Sequence, residues 1–354
     1  MSKWRGWLLE ARTPFVALAT AILVLNLLSW GFGQAPLAIL GKAIAGSWGT
    51  AYGIGQVLFK ATPLLMAGLA VSVGLKAGLF NIGVEGQIMM GSLGGTVVAI
   101  SLPQGLPSIV ALPLALLAAA VAGGLWAAMA GWMRVRFGAH EVITTIMLNR
   151  IADGLVAYVV TTWLSLPATV RTKDIALGTR IPPLEGVFSG FAGSAVSWAI
   201  VGAVVVLIGV QVWLVRSRLG RELVWVGHNE TACLAQGIPA NRRKIMAMAL
   251  SGAIAGLTVG GTVLGYKGYY ELGLGAGAGF GGIAVAFLGG GKPLGLLLAA
   301  LVFGTLAQAG LVINAQVPKD AMGILEAVVI VAIALGSSAA ARDMANRPRL
   351  EEGT

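Results

Sequence analysis

Long apolar runs recur along the whole chain, each broken by a short cluster of charged residues, proline or glycine. They predict membrane spans near 15–33, 57–75, 80–101, 108–133, 142–164, 195–215, 245–265, 277–290, 293–313 and 321–340. The run Val196–Val215 carries no charge across 20 residues, close to the ~20 that a helix needs to cross a bilayer. The pattern predicts an all-α polytopic membrane protein of about ten transmembrane helices, with eight as the main competing count. Two places depart from uniform apolarity. Gly78-Leu-Phe-Asn-Ile-Gly-Val-Glu-Gly-Gln87 sets Asn81, Glu85 and Gln87 among glycines, and Gly273–Gly282 with Gly289–Pro293 interrupt the eighth span. Broken helices at membrane depth are tolerated only where protein or a wet cavity satisfies the freed backbone groups, and they point toward a transport pathway. For glycines alone the competing reading is close helix packing, to which Gly91/Gly95 and Gly252/Gly256 are suited.

The fifth span adds a polar stripe. Glu141, Thr145, Asn149 and Asp153 recur every four residues on an otherwise apolar helix, so that face is expected to meet protein or water and not lipid. Arg150 and Asp153 stand three apart and could pair. Side-chain amides donate and accept, which suits hydroxyls and base edges of a polar solute. Asn81, Glu85, Gln87, Thr145 and Asn149 are therefore the candidate pathway residues, against interhelix packing or a proton relay for the same stripe.

Composition agrees with lipid as the solvent. Of 354 residues 57% are hydrophobic and 11% charged, and mean hydropathy is +0.86; soluble domains carry about 25% charged residues. The net charge of +10 lies scattered through short loops without interleaved aromatics, which excludes a nucleic-acid surface. With the N-terminus inside, 16 of the 24 Lys and Arg residues fall on the cytoplasmic side and 7 outside, the bias expected of an oriented membrane protein. Both termini are then cytoplasmic. Residues 1–14 form an N-terminal segment, 15–340 the transmembrane domain and 341–354 a tail. Cys233 is the single cysteine and His140 and His228 the only histidines, so neither a disulfide framework nor a His-rich metal centre is expected. Phe15–Phe32 is long for a signal core and lacks a clear cleavage site, which favours a retained first span.

The longest inner loop, 216–244, has its own pattern. Asn229 is a natural N-cap; Ala232, Cys233, Leu234, Ala235 and Gln236 follow as a short helix, and Gly237 is placed to end it. A small-residue helix projecting between two long spans suits docking into a groove on another protein, while basic flanks alone would also suit lipid phosphates.

Three motif look-alikes fail. His140-Glu141-Val-Ile-Thr144 has threonine at the second ligand position of His-Glu-x-x-His. Gly277-Ala-Gly279-Phe-Gly-Gly282 fits a dinucleotide fingerprint, but 52 glycines make such matches common and no βαβ unit surrounds it. Gly291-Lys292 lacks the first glycine and the Ser/Thr of a phosphate loop. No catalytic residue, ATPase or cofactor site is expected, so the energy for transport must come from a partner chain or an ion gradient.

Together with Thr62-Pro63-Leu64-Leu65 upstream and Glu141-Val-Ile-Thr-Thr-Ile-Met-Leu-Asn149 downstream, the Gly78–Gln87 run resembles the permeases of bacterial nucleoside and simple-sugar ABC importers. These belong to the larger group that includes the branched-chain amino acid and ribose permeases. Gly227-His-Asn-Glu-Thr-Ala-Cys-Leu-Ala-Gln-Gly-Ile238 resembles that group's coupling-helix motif, with Cys233 standing where an alanine is usual. The resemblance spans about residues 55–335. It implies two permease subunits, which in close systems differ, two cytoplasmic ATP-binding cassette ATPases and an extracytoplasmic substrate-binding lipoprotein. It also implies an inverted repeat of spans two to five and seven to ten, in the cytoplasmic membrane of a bacterium. On this reading Gly227, Asn229, Ala232, Cys233 and Gly237 couple to the ATPase. The rival is an ion-coupled secondary transporter, which needs no ATPase dock; an intramembrane enzyme would need a nucleophile–base pair or metal ligands that the spans lack.

Overall fold

A computed structural model describes residues 19–20, 22–318, 323–324, 327–329 and 331. The expected last span, the segment 1–14 and the tail 341–354 lie wholly or largely outside the described residues.

The chain divides into two compact units, one made of Met1–Gly49 with Leu306–Thr354 and the other of Thr50–Thr305. In the first, α1 (Ile22–Gly31) and α2 (Pro36–Trp48) contribute Leu25, Ile39 and Ala43 to a core completed by Ala309, Ile313 and Val317. The hydropathy pattern predicts an outer loop between the first two spans; the structure forms α2 there, whose 13 residues fall short of a spanning length.

The larger unit holds α3 (Ala51–Lys76), α4 (Val84–Ser101), α5 (Ser108–Phe137), α6 (Glu141–Val159), α7 (Ala199–Arg216), α8 (Arg218–His228), α9 (Glu230–Ala235), α10 (Ala240–Gly256), α11 (Ala278–Gly289) and the start of α12 (Pro293–Val312). Wider π-helical turns extend α6 over Val160–Leu164 and follow α10 over Gly260–Lys267. Among the described residues six helices are long and apolar enough to cross a membrane, with three shorter apolar ones. The fold is a multi-pass helical membrane domain.

Burial sorts these helices into layers. The apolar windows of α3 and of Ala240–Lys267 are 78% buried, against 28% for α5, Glu141–Leu164 and α7. The first two form the centre and the others expose one side. Small residues let neighbouring helices meet closely: a Cβ on Gly91 of α4 would strike Gly256 of α10, and one on Gly252 of α10 would strike the backbone of Gly123 on α5. The sequence had offered these glycines for close packing, and the helices use them so.

Residues 165–198 fold as a cap. Their backbone bonds helix ends beneath, with Ala176 N donating to Ala99 O of α4 and Ile181 N to Leu264 O of the π-helical turns after α10. Ile175 joins the core beneath.

Candidate functional site: a buried polar knot and a projecting helix module

All five candidate pathway residues are buried, and the fold gathers them between α4, α6, α10 and the start of α11. Asn81 sits in the irregular segment 77–83 and uses every hydrogen-bonding position of its amide. Its Nδ2 donates to Gln87 Oε1 at 2.9 Å and to Ser251 Oγ at 2.8 Å; its Oδ1 accepts from Gly83 N and Gln87 Nε2, each at 3.0 Å. Ser251 passes the network on, donating to Ala70 O on α3 at 2.6 Å. From α6, Asn149 Oδ1 accepts from Gly86 N at 2.9 Å and its Nδ2 donates to Ile82 O at 3.0 Å. Thr145 is fully buried, with its Cβ against Gly83. Broken backbone at this depth is thus satisfied by protein groups, as it must be in lipid.

Glu85 has a different task. Its two carboxylate oxygens accept from Gly277 N at 2.6 Å and Gly279 N at 2.8 Å, across 192 and 194 residues of sequence. The carboxylate therefore caps the N-terminus of α11 from another helix, where free amides and the helix dipole favour negative charge. Gly273, Gly275 and Gly277, at φ of +84°, +85° and +85°, provide the left-handed turns that bring those amides to it.

Arg150 and Asp153 lie on exposed positions of α6, and the ion pair that their spacing allows does not form. Exposed charge on a spanning helix must face water or protein, because lipid would not accept it.

The second assembly is the α8–α9 module. Asn229 caps α9 with Oδ1 accepting from Ala232 N at 3.0 Å, and Gly237 at φ +76° ends it, with Ile238 N returning to Cys233 O at 2.9 Å. Both ends lie where the sequence placed them. Cys233 is buried beside Val226 and Ala240, while Thr231, Ala232, Leu234, Ala235 and Gln236 are exposed. A cleft of about 290 Å³ lies alongside, lined by Trp225, His228, Asn229, Ala232, Cys233 and Gln236.

The sequence pattern predicts a loop before α9, and the structure forms α8 there instead. Ser217 caps it through Gly220 N at 2.9 Å, and buried Glu222 receives Arg218 at 2.8 Å and Arg243 of α10 at 2.7 Å. These two guanidiniums hold the Glu222 carboxyl below the usual carboxylate range. Glu230 of α9 pairs with Lys244 of α10 at 2.6 Å. Gly227 packs backbone to backbone on Lys76–Gly78, where a Cβ would collide with Lys76 O. The module thus grips two elements, α10 and the segment 77–83, and both lead to Asn81. The sequence pattern does not single out Glu222, Arg243 or Ser251, whereas Gly277 lies in the Gly273–Gly282 break that it does single out. The Arg218–Glu222 spacing was visible as an i,i+4 pair; the remaining partners come from distant parts of the chain.

A family model described as the permease component of branched-chain amino acid transport systems matches residues 53–334. The chain belongs to this family. The permease is 36% identical over 297 residues to the guanosine ABC transporter permease NupP of Bacillus subtilis, covering 82% of this chain and 83% of that one. It is 32% identical over 329 residues to a glucose ABC transporter permease of Haloferax volcanii, covering 90% and 85%. A second guanosine permease of Bacillus subtilis, NupQ, is 28% identical over 266 residues, covering 74% and 82%. The permease is therefore a membrane subunit of an ABC importer and not itself an enzyme; it works with an ATPase on a separate chain. An ion-coupled carrier is not favoured.

Proposed function

We propose that this permease forms half of a translocation pathway for nucleosides or related simple sugars. The observation that carries the reading is the double grip of the α8–α9 module. One side of it projects a short exposed helix for an ATP-binding cassette ATPase, and the other joins α10 and segment 77–83. Nucleotide-driven closure of the ATPase would then favour one access state over another, as any ligand does that binds two states unequally. Gly227, Asn229, Ala232, Cys233 and Gly237 serve the docking side. Asn81, Glu85, Gln87, Thr145 and Asn149 hold the pathway wall.

The similarity to guanosine and glucose permeases supports a hydroxyl-rich neutral solute, delivered by an extracytoplasmic binding lipoprotein. Two distinct permeases of one organism both match this chain, which supports a homologue as the second subunit. The exposed Arg150–Asp153 face of α6 suits a water-filled boundary between two such halves. Ten crossings, an inverted repeat and cytoplasmic termini complete the reading. In that orientation α9 and the basic ends of α5 and α7 lie inside, as the distribution of Lys and Arg favours.

The decisive experiment is Gly237→Arg in cells that depend on this importer for guanosine or glucose uptake. Arginine strains the left-handed end of α9 and crowds its docking face. Uptake should fall at least tenfold, with the protein still in the membrane. Uptake that survives the substitution and disappears with a protonophore would overturn the ABC assignment.

A further inference from the structure

At the end of α3 that abuts Gly227, two side chains on one face lack partners. Ser72 is 2% exposed and its Oγ makes no hydrogen bond. Lys76, one turn further on, is half-buried, and no ion pair to its ammonium forms among the described residues. Both point at the turn joining α11 to α12. A Cβ built on Gly291 would lie 3.5 Å from Ser72 Oγ and 3.7 Å from Lys76 Nζ. Gly290 and Gly291 take φ of +57° and +68°, so the backbone bends around this small space. From α7, Gln211 reaches Gly291 O at 3.4 Å.

Among the described residues Lys76 has no counter-ion. Glu141 is engaged by Arg134 at 3.3 Å, Glu222 by two arginines and Glu230 by Lys244. Helices α3, α7, α11 and α12, which surround the space, contain no Asp or Glu. A half-buried ammonium with no carboxylate beside it among the described residues attracts negative charge. The hydroxyl beside it is a donor without an acceptor, and a buried donor so placed is costly unless something accepts from it.

We propose that Ser72, Lys76 and the Gly290–Gly291 turn form a binding site for a phosphate-bearing anion. The ammonium supplies charge, the hydroxyl a directed hydrogen bond, and the glycine turn the room for an oxyanion to approach. The site stands where a spanning helix leaves the bilayer, within reach of lipid headgroup phosphates. The site is distinct from the Asn81 knot and from α9, and Lys76 borders the Gly227 junction.

Full-length permease in phospholipid-free neutral detergent is melted while titrated with dioctanoyl phosphatidylglycerol or with inorganic phosphate. A ligand that binds only the folded state raises the melting temperature saturably. The wild type should show this rise, and Lys76→Gln should weaken the apparent affinity about tenfold, as expected for loss of a charge-assisted bond. Ser72→Ala should weaken it about threefold, and Lys76→Arg should stay within about threefold of wild type, separating loss of the site from a damaged fold. A rise with the lipid alone assigns a headgroup; an equal rise with inorganic phosphate assigns free phosphate. No rise in the wild type with either probe, or equal responses from wild type and Lys76→Gln, would overturn the proposal.

Discussion

The Asn81 knot and the α8–α9 module sit in the same compact unit yet are held together by opposite chemistry. The knot is joined by neutral amides and a hydroxyl, with one carboxylate bound only by backbone N–H groups. The module is joined by ion pairs, Glu222 with Arg218 and Arg243, and Glu230 with Lys244. The contrast follows the solvent around each region. Formal charges inside a bilayer are expensive, so a joint there is built from dipoles whose positions are all filled. In the module Arg218 and Glu230 stay open to water while Glu222, Arg243 and Lys244 are largely covered. The knot should therefore be intolerant of any change in polarity, and the module sensitive to pH and salt as the knot is not.

The contrast is broken most severely at Asn81. Asn81→Leu removes four hydrogen bonds at once and leaves Gln87 and Ser251 facing an apolar side chain. Each stranded group costs about 1–3 kcal/mol. The full-length protein in detergent should melt several degrees lower, and uptake should be abolished. A melting temperature within a degree of wild type would contradict the knot's structural role.

An intermediate effect is expected where the two regions touch. Gly227→Val sets a branched side chain against Lys76 O and should part the module from segment 77–83. Measured on the assembled importer, ATP hydrolysis should persist while solute uptake falls about tenfold, so that more ATP is consumed per solute moved. A proportional fall in both rates would mean that the contact serves folding and not transmission.

The smallest effect is acid sensitivity of the module. The Glu222 carboxyl is held low by Arg218 and Arg243, so its folded pKa lies below the unfolded one. Its stabilising contribution is complete above the ordinary carboxylate range of about 4–4.5 and is lost as pH falls through the lowered folded value. Amide exchange in 218–244 should accelerate on acidification relative to segment 77–83, and Glu222→Gln should remove that difference.

The sequence revealed local features well. Asn229 and Gly237 were legible as the ends of α9 because a cap and a left-handed stop act within a few residues. Asn81, Glu85, Gln87, Thr145 and Asn149 stood out because polar side chains are rare in text this apolar. Their partners were not legible: Ser251 lies 170 residues from Asn81 and Gly279 lies 194 from Glu85, and no periodicity encodes such pairings. Helix α8 was missed because its dense charges read as a tether, and α2 because it is shorter than a span. The role of Glu85 was hidden for the same reason as its partners. A carboxylate beside glycines looks like a solute ligand until the helix whose amides it holds is seen.

The meeting of Gly227 with Lys76–Gly78 has a consequence for inheritance. No side-chain chemistry takes part in it, only the absence of side chains at Gly227 and Gly78. Substitutions that alter charge or polarity nearby leave such a junction untouched, whereas a single added methyl group at Gly227 prises it open. A chain that keeps this junction must keep glycine at position 227, whatever charge or polarity changes around it.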